Sequence, residues 1–186
     1  WNRLRRKINA LRDYVPVNVI NAGIGGTTAK LSLQRMERDV FSHHPDLVII
    51  CFGLNDVCFS FDEYTNALAA MFDACNERGV SAVFMTPNML NTYVTDETPE
   101  EFRGFAADTA KLQNEGTMDR YMQAACRIAQ ERGIPVCDCY SVWKKRSETE
   151  DTTRLLANGI NHPLAELHEL FAEQLFCMLF PNMTHS

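Results

Sequence analysis

Apolar positions along this chain switch repeatedly between helical and strand-like spacing. Leu4, Ile8 and Leu11 recur at helical intervals among Arg3, Arg5, Arg6, Lys7 and Arg12, which predicts an amphipathic helix over residues 1–14. Its basic run reads as a solvated face rather than a binding patch. Pro16 ends it, and Val17-Asn18-Val19-Ile20-Asn21 reads as a short strand. A glycine-rich turn, Ala22-Gly23-Ile24-Gly25-Gly26-Thr27-Thr28, then leads into a helix around Ala29 to Phe41, with Leu33, Met36 and Val40 inward. Beyond Pro45, Leu47-Val48-Ile49-Ile50-Cys51-Phe52 is apolar at every position and stops at Gly53. Such a run is the mark of a strand buried on both faces.

Helical spacing returns between Phe61 and Arg78, where Tyr64, Leu68, Met71, Phe72 and Cys75 form one stripe and Gly79 stands just past the end. Val80 to Thr86 is the next strand, followed by Pro87-Asn88. Thr98-Pro99-Glu100-Glu101 combines a cap candidate, a first-turn proline and acids at the positive end of the helix dipole. That helix breaks at Asn114-Glu115-Gly116 and resumes from Met118 to Arg132. Gly133 precedes a fourth strand at Ile134 to Cys137. Trp143 to Thr153 is charged and irregular, hence expected to be exposed, and Pro163 to Phe180 closes the chain as an amphipathic helix (Leu164, Leu167, Leu170, Phe171, Leu175, Met178). Strands alternating with helices imply an α/β fold, a parallel sheet flanked by helices in one domain spanning residues 1–186.

Composition narrows the function. The net charge of −6 argues against nucleic acid or an anionic membrane surface as partner. No apolar run approaches the ~20 residues that span a bilayer, and no signal peptide is recognisable. The chain opens on Trp1 rather than Met, so residues upstream are expected. Seven cysteines (Cys51, Cys58, Cys75, Cys126, Cys137, Cys139, Cys177) form an odd, irregularly spaced set in mostly apolar surroundings. That points to reduced, buried thiols and a cytoplasmic setting. Cys137 and Cys139 share a strand face, but no second pair has the spacing of a zinc site, and no metal or organic cofactor is expected.

In a parallel sheet the strand-to-helix turns gather at one edge, where ligands bind. Three turns carry candidate chemistry. Gly53-Leu54-Asn55-Asp56 presents an amide and a carboxylate directly after the buried strand; these either bond their own loop or, in the case of Asn55, aim an N–H donor into a site. The glycine turn at 22–26 is the second. In the third, Asn158-Gly159-Ile160-Asn161-His162-Pro163, the proline biases His162 to an extended backbone at a helix start.

Together, Asn21-Ala22-Gly23-Ile24-Gly25-Gly26, Gly53-Leu54-Asn55-Asp56 and a histidine before the last helix resemble the SGNH (GDSL-type) esterase and lipase family, in order and spacing, over nearly the whole chain. The resemblance implies a flavodoxin-like sheet and a serine, on the turn after the first strand, that attacks an ester carbonyl. It implies that the Gly26 N–H and the Asn55 side-chain N–H form an oxyanion hole and that His162 is the general base. It also implies a small-molecule or carbohydrate ester as substrate, acetylated sugars, short-chain esters and lysophospholipids all suiting the family, with Met89 to Glu97 lining the pocket and Tyr93 against the substrate.

Two departures stand out. The Gly-Asp-Ser nucleophile motif is absent, and Ser32, Ser42, Ser60, Ser81, Ser141, Ser147 and Ser186 lack its context. The expectation is that the first strand and the nucleophile lie upstream, and that this chain alone is inactive and marginally stable. The family's Asp-x-x-His is also broken, because Gly159 stands in the acid's place and Asn158 one position further back. Either a Ser-His dyad operates, or Asp151 or Asp138 substitutes. Competing readings are a non-catalytic relative that keeps the crevice, and a phosphate- or nucleotide-binding domain, although the glycine turn lacks both the last glycine of a dinucleotide fingerprint and the lysine of a P-loop.

Overall fold

The structure, a computed structural model, describes residues 1–11 and 16–181. Arg12 and the end of the first expected helix, like Ser186, lie outside the described residues. A parallel three-stranded sheet organises the rest: β1 (Leu47–Ile50), β2 (Ser81–Met85) and β3 (Val136–Cys137), in the order β1-β2-β3. Register runs Leu47 against Ser81 to Ile50 against Phe84, then Phe84 against Val136 and Met85 against Cys137.

Side-chain alternation along β2 divides the interior into two layers. Ala82 and Phe84 face α4 (Phe61–Glu77) and α6 (Thr117–Glu131), packing with Leu68, Phe72, Met118 and Tyr121. Phe72 meets Phe84 edge-on, with centroids 5.7 Å apart. Val83 faces the other way, onto Leu4 and Ile8 of α1 (Asn2–Asn9) and Ala172 and Leu175 of α8 (His168–Leu179). Ion pairs from Arg3 to Glu169 (3.0 Å) and from Lys7 to Glu169 (2.8 Å) and Glu173 tie α1 to α8. Part of the basic face of α1 is therefore paired rather than solvated.

The α4 stripe is buried as its spacing predicts. The Ser60 hydroxyl caps the helix by accepting the Glu63 N–H (3.3 Å), and Gly79 leaves it in the left-handed region. The break after Asn114 separates α5 (Arg103–Asn114) from α6 at Gly116, also left-handed.

Four expectations are corrected. Residues 17–21 belong to no ladder among the described residues, and Ile20 is 59% exposed. The helix after the glycine turn is broken at Gln34–Arg35 into α2 (Ala29–Leu33) and α3 (Met36–Asp39). The charged stretch after residue 138 begins as α7 (Cys139–Ser147), capped by Asp138 through Ser141 N–H (3.1 Å). Its Trp143 is fully buried against Phe171, and Lys144, Lys145 and Arg146 sit at the negative end of the helix dipole. Finally, of the seven free cysteines only Cys75, Cys137 and Cys139 are buried, while Cys51 and Cys58 are exposed. The Cys137 and Cys139 sulfurs touch at 3.8 Å. Burial pushes the Cys75 and Cys126 thiols up to about 11. Among the described residues no group of three His, Cys, Asp or Glu could hold a metal ion, and no helix is long and apolar enough to cross a membrane.

Candidate functional site

β1 is an edge strand among the described residues, with β2 on one side only. Its C-terminal turn is locked by Asp56. One carboxylate oxygen of Asp56 accepts the Gly53 N–H (3.0 Å) and the other accepts the Ala29 N–H at the start of α2 (2.7 Å). Asp56 is almost fully buried, and desolvation raises its pKa against the lowering effect of these backbone donors. Gly53 has φ +140°, and a Cβ there would stand 2.4 Å from the Met122 methyl. Asp56 thus takes the structural role available to an Asx residue, which leaves Asn55 to face outward.

The Asn55 amide donates to the Thr27 carbonyl (3.0 Å), tying this turn to the glycine turn. A primary amide has a second N–H, and Asn55 lines a cleft. The glycine turn itself is exposed. Asn21 Oδ1 accepts the Gly23 N–H (3.0 Å), the Thr27 hydroxyl donates to the Ile24 carbonyl (2.8 Å), and Gly26 adopts φ +75°.

The third turn is a compact loop closed by a bridge between Leu156 and Pro163. Asn158 organises it: Oδ1 accepts the N–H groups of Ile160 (3.1 Å), Asn161 (3.0 Å) and His162 (3.0 Å). The loop hangs on the segment after β2, through Asn91 N–H to the Ile160 carbonyl (2.8 Å) and Asn88 Nδ2 to the Asn161 carbonyl (2.9 Å). His162 is exposed beside the closing bridge, its carbonyl accepting the Ala157 N–H.

These turns converge. Gly26, Asn55 and His162 all line one open cleft of about 560 Å³, together with Leu54, Phe102, Phe105, Ile160 and Arg154. No described serine lines it. Of the segment from Met89 to Glu97, Thr95 and Glu97 reach the cleft, whereas Met89, Leu90 and Asn91 are buried. Tyr93 is not among the lining residues; its hydroxyl donates to the Asp151 carboxylate (2.5 Å).

Asp151 and Asp138 both have hydrogen-bond partners other than the imidazole. Asp151 also accepts the Thr153 N–H (3.2 Å), and Asp138 accepts from the Thr86 hydroxyl (2.9 Å) and from Ser141. Gly159, three positions before His162, has φ +66°, and a Cβ there would lie 2.7 Å from the Thr98 hydroxyl and 3.2 Å from that of Thr95. Those hydroxyls bond each other at 2.9 Å and occupy the space a side chain at 159 would need. Sequence reasoning named Asn158 and Thr98 but not these roles: one acts through backbone bonds, the other through packing across 61 residues of chain.

Over residues 1–170 the sequence matches the GDSL-like Lipase/Acylhydrolase family. An acetylxylan esterase of Geobacillus stearothermophilus is 25% identical over 166 residues, which span 89% of this chain and 73% of that protein. A solved mutant of Axe2, an acetyl-xylooligosaccharide esterase from Geobacillus, superposes with a TM-score of 0.76 at 22% identity, over 98% of this chain and 81% of its own. The acetyl xylan esterase AlAXEase gives 0.66 at 20% identity, over 84% and 78%. Solved catalytic mutants of Axe2 carry alanine in place of a serine, an aspartate and a histidine, the last two three positions apart.

Proposed function

The chain belongs to the GDSL-like lipase/acylhydrolase family, and on that premise we propose that it forms the body of a carboxylic ester hydrolase acting on acetyl esters of carbohydrates. The observation that carries this reading is the meeting of Gly26, Asn55 and His162 around one cleft. The kinship with acetylxylan esterases favours an acetylated sugar. An open cleft with exposed Phe102 and Phe105 on its wall suits a bulky alcohol part and a small acyl group.

In the proposed reaction a serine hydroxyl, presented on a segment lying along the free edge of β1, attacks the ester carbonyl. His162 takes its proton, and the carbonyl oxygen becomes negatively charged. The Gly26 N–H and the second Asn55 N–H bond that oxygen; each such donor contributes about 3–4 kcal/mol to the transition state. The imidazolium returns its proton to the leaving alcohol, and water repeats the cycle on the acyl-enzyme. With Gly159 in the acid's place, Asn158 holds the histidine through its backbone and the reaction runs on a Ser-His dyad.

The test is hydrolysis of p-nitrophenyl acetate and acetylated xylo-oligosaccharides by the full-length protein, with labelling by a fluorophosphonate. His162→Ala is expected to lower kcat by about 10⁴-fold, and Asn55→Ala by about 10²–10³-fold. Undiminished turnover in His162→Ala would remove this residue from the mechanism. A non-catalytic, sugar-binding relative is the second reading, favoured by the blocked space at Gly159. Acetylated xylo-oligosaccharide bound without turnover or label by the full-length protein is the outcome that selects it.

A further inference from the structure

We infer that Arg35 is a positioning residue for the esterase reaction, fixing the glycine turn so that the Gly26 N–H meets the substrate oxygen; this rests on the functional reading above. The turn from Gly23 to Gly26 is exposed, and nothing lies within 4 Å of where a Cβ would stand on Gly25 or Gly26. Packing therefore does not set its shape, and glycines leave its own backbone permissive. Beyond the short-range bonds at Gly23 and Ile24, what remains is how its two ends are tethered.

Both ends lead to one guanidinium. Arg35 Nη1 donates to the Ala22 carbonyl, the residue entering the turn, at 2.6 Å. Its Nη2 donates to Ser32 Oγ (3.3 Å), and that hydroxyl donates to Oγ1 of Thr27, the residue leaving the turn (3.2 Å). Thr27 is in turn the anchor of Asn55, whose amide donates to its carbonyl (3.0 Å). Asp39 Oδ2 holds the guanidinium from behind at 3.0 Å, and the Arg35 side chain is only 15% exposed. A planar fork can hold two acceptors at fixed separation, as the point charge of a lysine cannot. The arrangement leaves Arg35 Nε buried without an acceptor among the described residues, a destabilising feature that filling space would not require. Two proposed oxyanion donors from separate segments thus share one support, located at the break between α2 and α3.

Arg35→Met, Arg35→Lys and Ser32→Ala in the full-length protein test this, read by p-nitrophenyl acetate kinetics and by amide hydrogen exchange. Misplacing a donor by about 1 Å costs on the order of 10²-fold, so Arg35→Met is expected to lower kcat by about that factor with KM nearly unchanged. Arg35→Lys, able to reach Ala22 but not Ser32 as well, should recover about tenfold of the loss. Amides of residues 23–27 should exchange about tenfold faster in Arg35→Met while those of β2 stay protected. Turnover within about threefold of wild type in Arg35→Met, or unaltered exchange in the turn, overturns the inference. Should Arg35→Met fail to fold, Ser32→Ala decides. It cuts one tether only, so a kcat loss of about three- to tenfold at constant KM supports the inference and an unaltered kcat refutes it. A wild-type protein inert toward every acetyl ester counts against the esterase reading instead, and the exchange measurement still judges the tether.

Discussion

The turn after β1 and the glycine turn before α2 face the same cleft, yet they are held by opposite means. The first is built from inside: a buried carboxylate bonds two backbone N–H groups, and a methionine methyl stands where Gly53 would carry a side chain. The second lies in the open, held by short-range bonds at Gly23 and Ile24 and by the tethers at its two ends. The backbone of one turn is therefore fixed by the core and that of the other by a surface network, and the Asn55 amide bridges the two through the Thr27 carbonyl. The difference teaches that a single site can draw rigidity from two sources, which substitutions separate.

Asp56→Ala should have the largest effect. It strands the Ala29 and Gly53 N–H groups, at about 1–3 kcal/mol each for buried donors. At roughly 2–4 °C per kcal/mol in a domain of this size, a melting temperature lower by about 4–24 °C is expected. A smaller drop than that of Gly53→Ala would break the contrast. Gly53→Ala comes next, costing about 2 kcal/mol, since φ +140° suits only glycine while the flexible end of Met122 can yield. Gly26→Ala should cost about 1 kcal/mol in urea unfolding, for its left-handed backbone alone, because the space around it is empty.

The smallest effect is in acid. Asp39, beside Arg38 and Arg35, has its carboxyl pKa lowered to about 2. Its contribution to stability is present above the ordinary carboxylate range near 4 and lost as pH falls through about 2. Burial raises Asp56 instead, so its contribution is complete below the ordinary range and declines as pH rises through the raised value. Relative to wild type, Asp39→Asn should lose its stability deficit between pH 4 and pH 2. Asp56→Asn should gain relative stability as pH rises above 4. Parallel curves for the two variants would show that the two turns do not differ in this way.

Much of the fold is legible because its determinants are local. The α4 stripe, Gly79 and the break at Gly116 all depend on residues a few positions apart. The strand expected at residues 17–21 fails for the complementary reason: alternation can propose a strand, but only a neighbouring backbone completes one. α7 is hidden because Lys144 to Glu150 outweighs the apolar Cys139, Tyr140 and Trp143 in any short window. In the site, the three turns are readable from their own residue types, although only the Gly53 turn follows a strand of the sheet. Their supports are not. Arg35 reads as an ordinary solvated arginine, Asn158 as a turn residue, and nothing in the chain announces that Thr98 abuts Gly159.

That abutment sets terms for anyone wishing to retrofit an acidic partner to the imidazole. Placing aspartate at position 159 would drive its first carbon into the threonine pair and force an L-residue into a left-handed turn. Thr95 and Thr98 would have to be trimmed in the same step, and the loop's bend re-engineered. An acid at this position is therefore a matter of several concerted substitutions rather than of one.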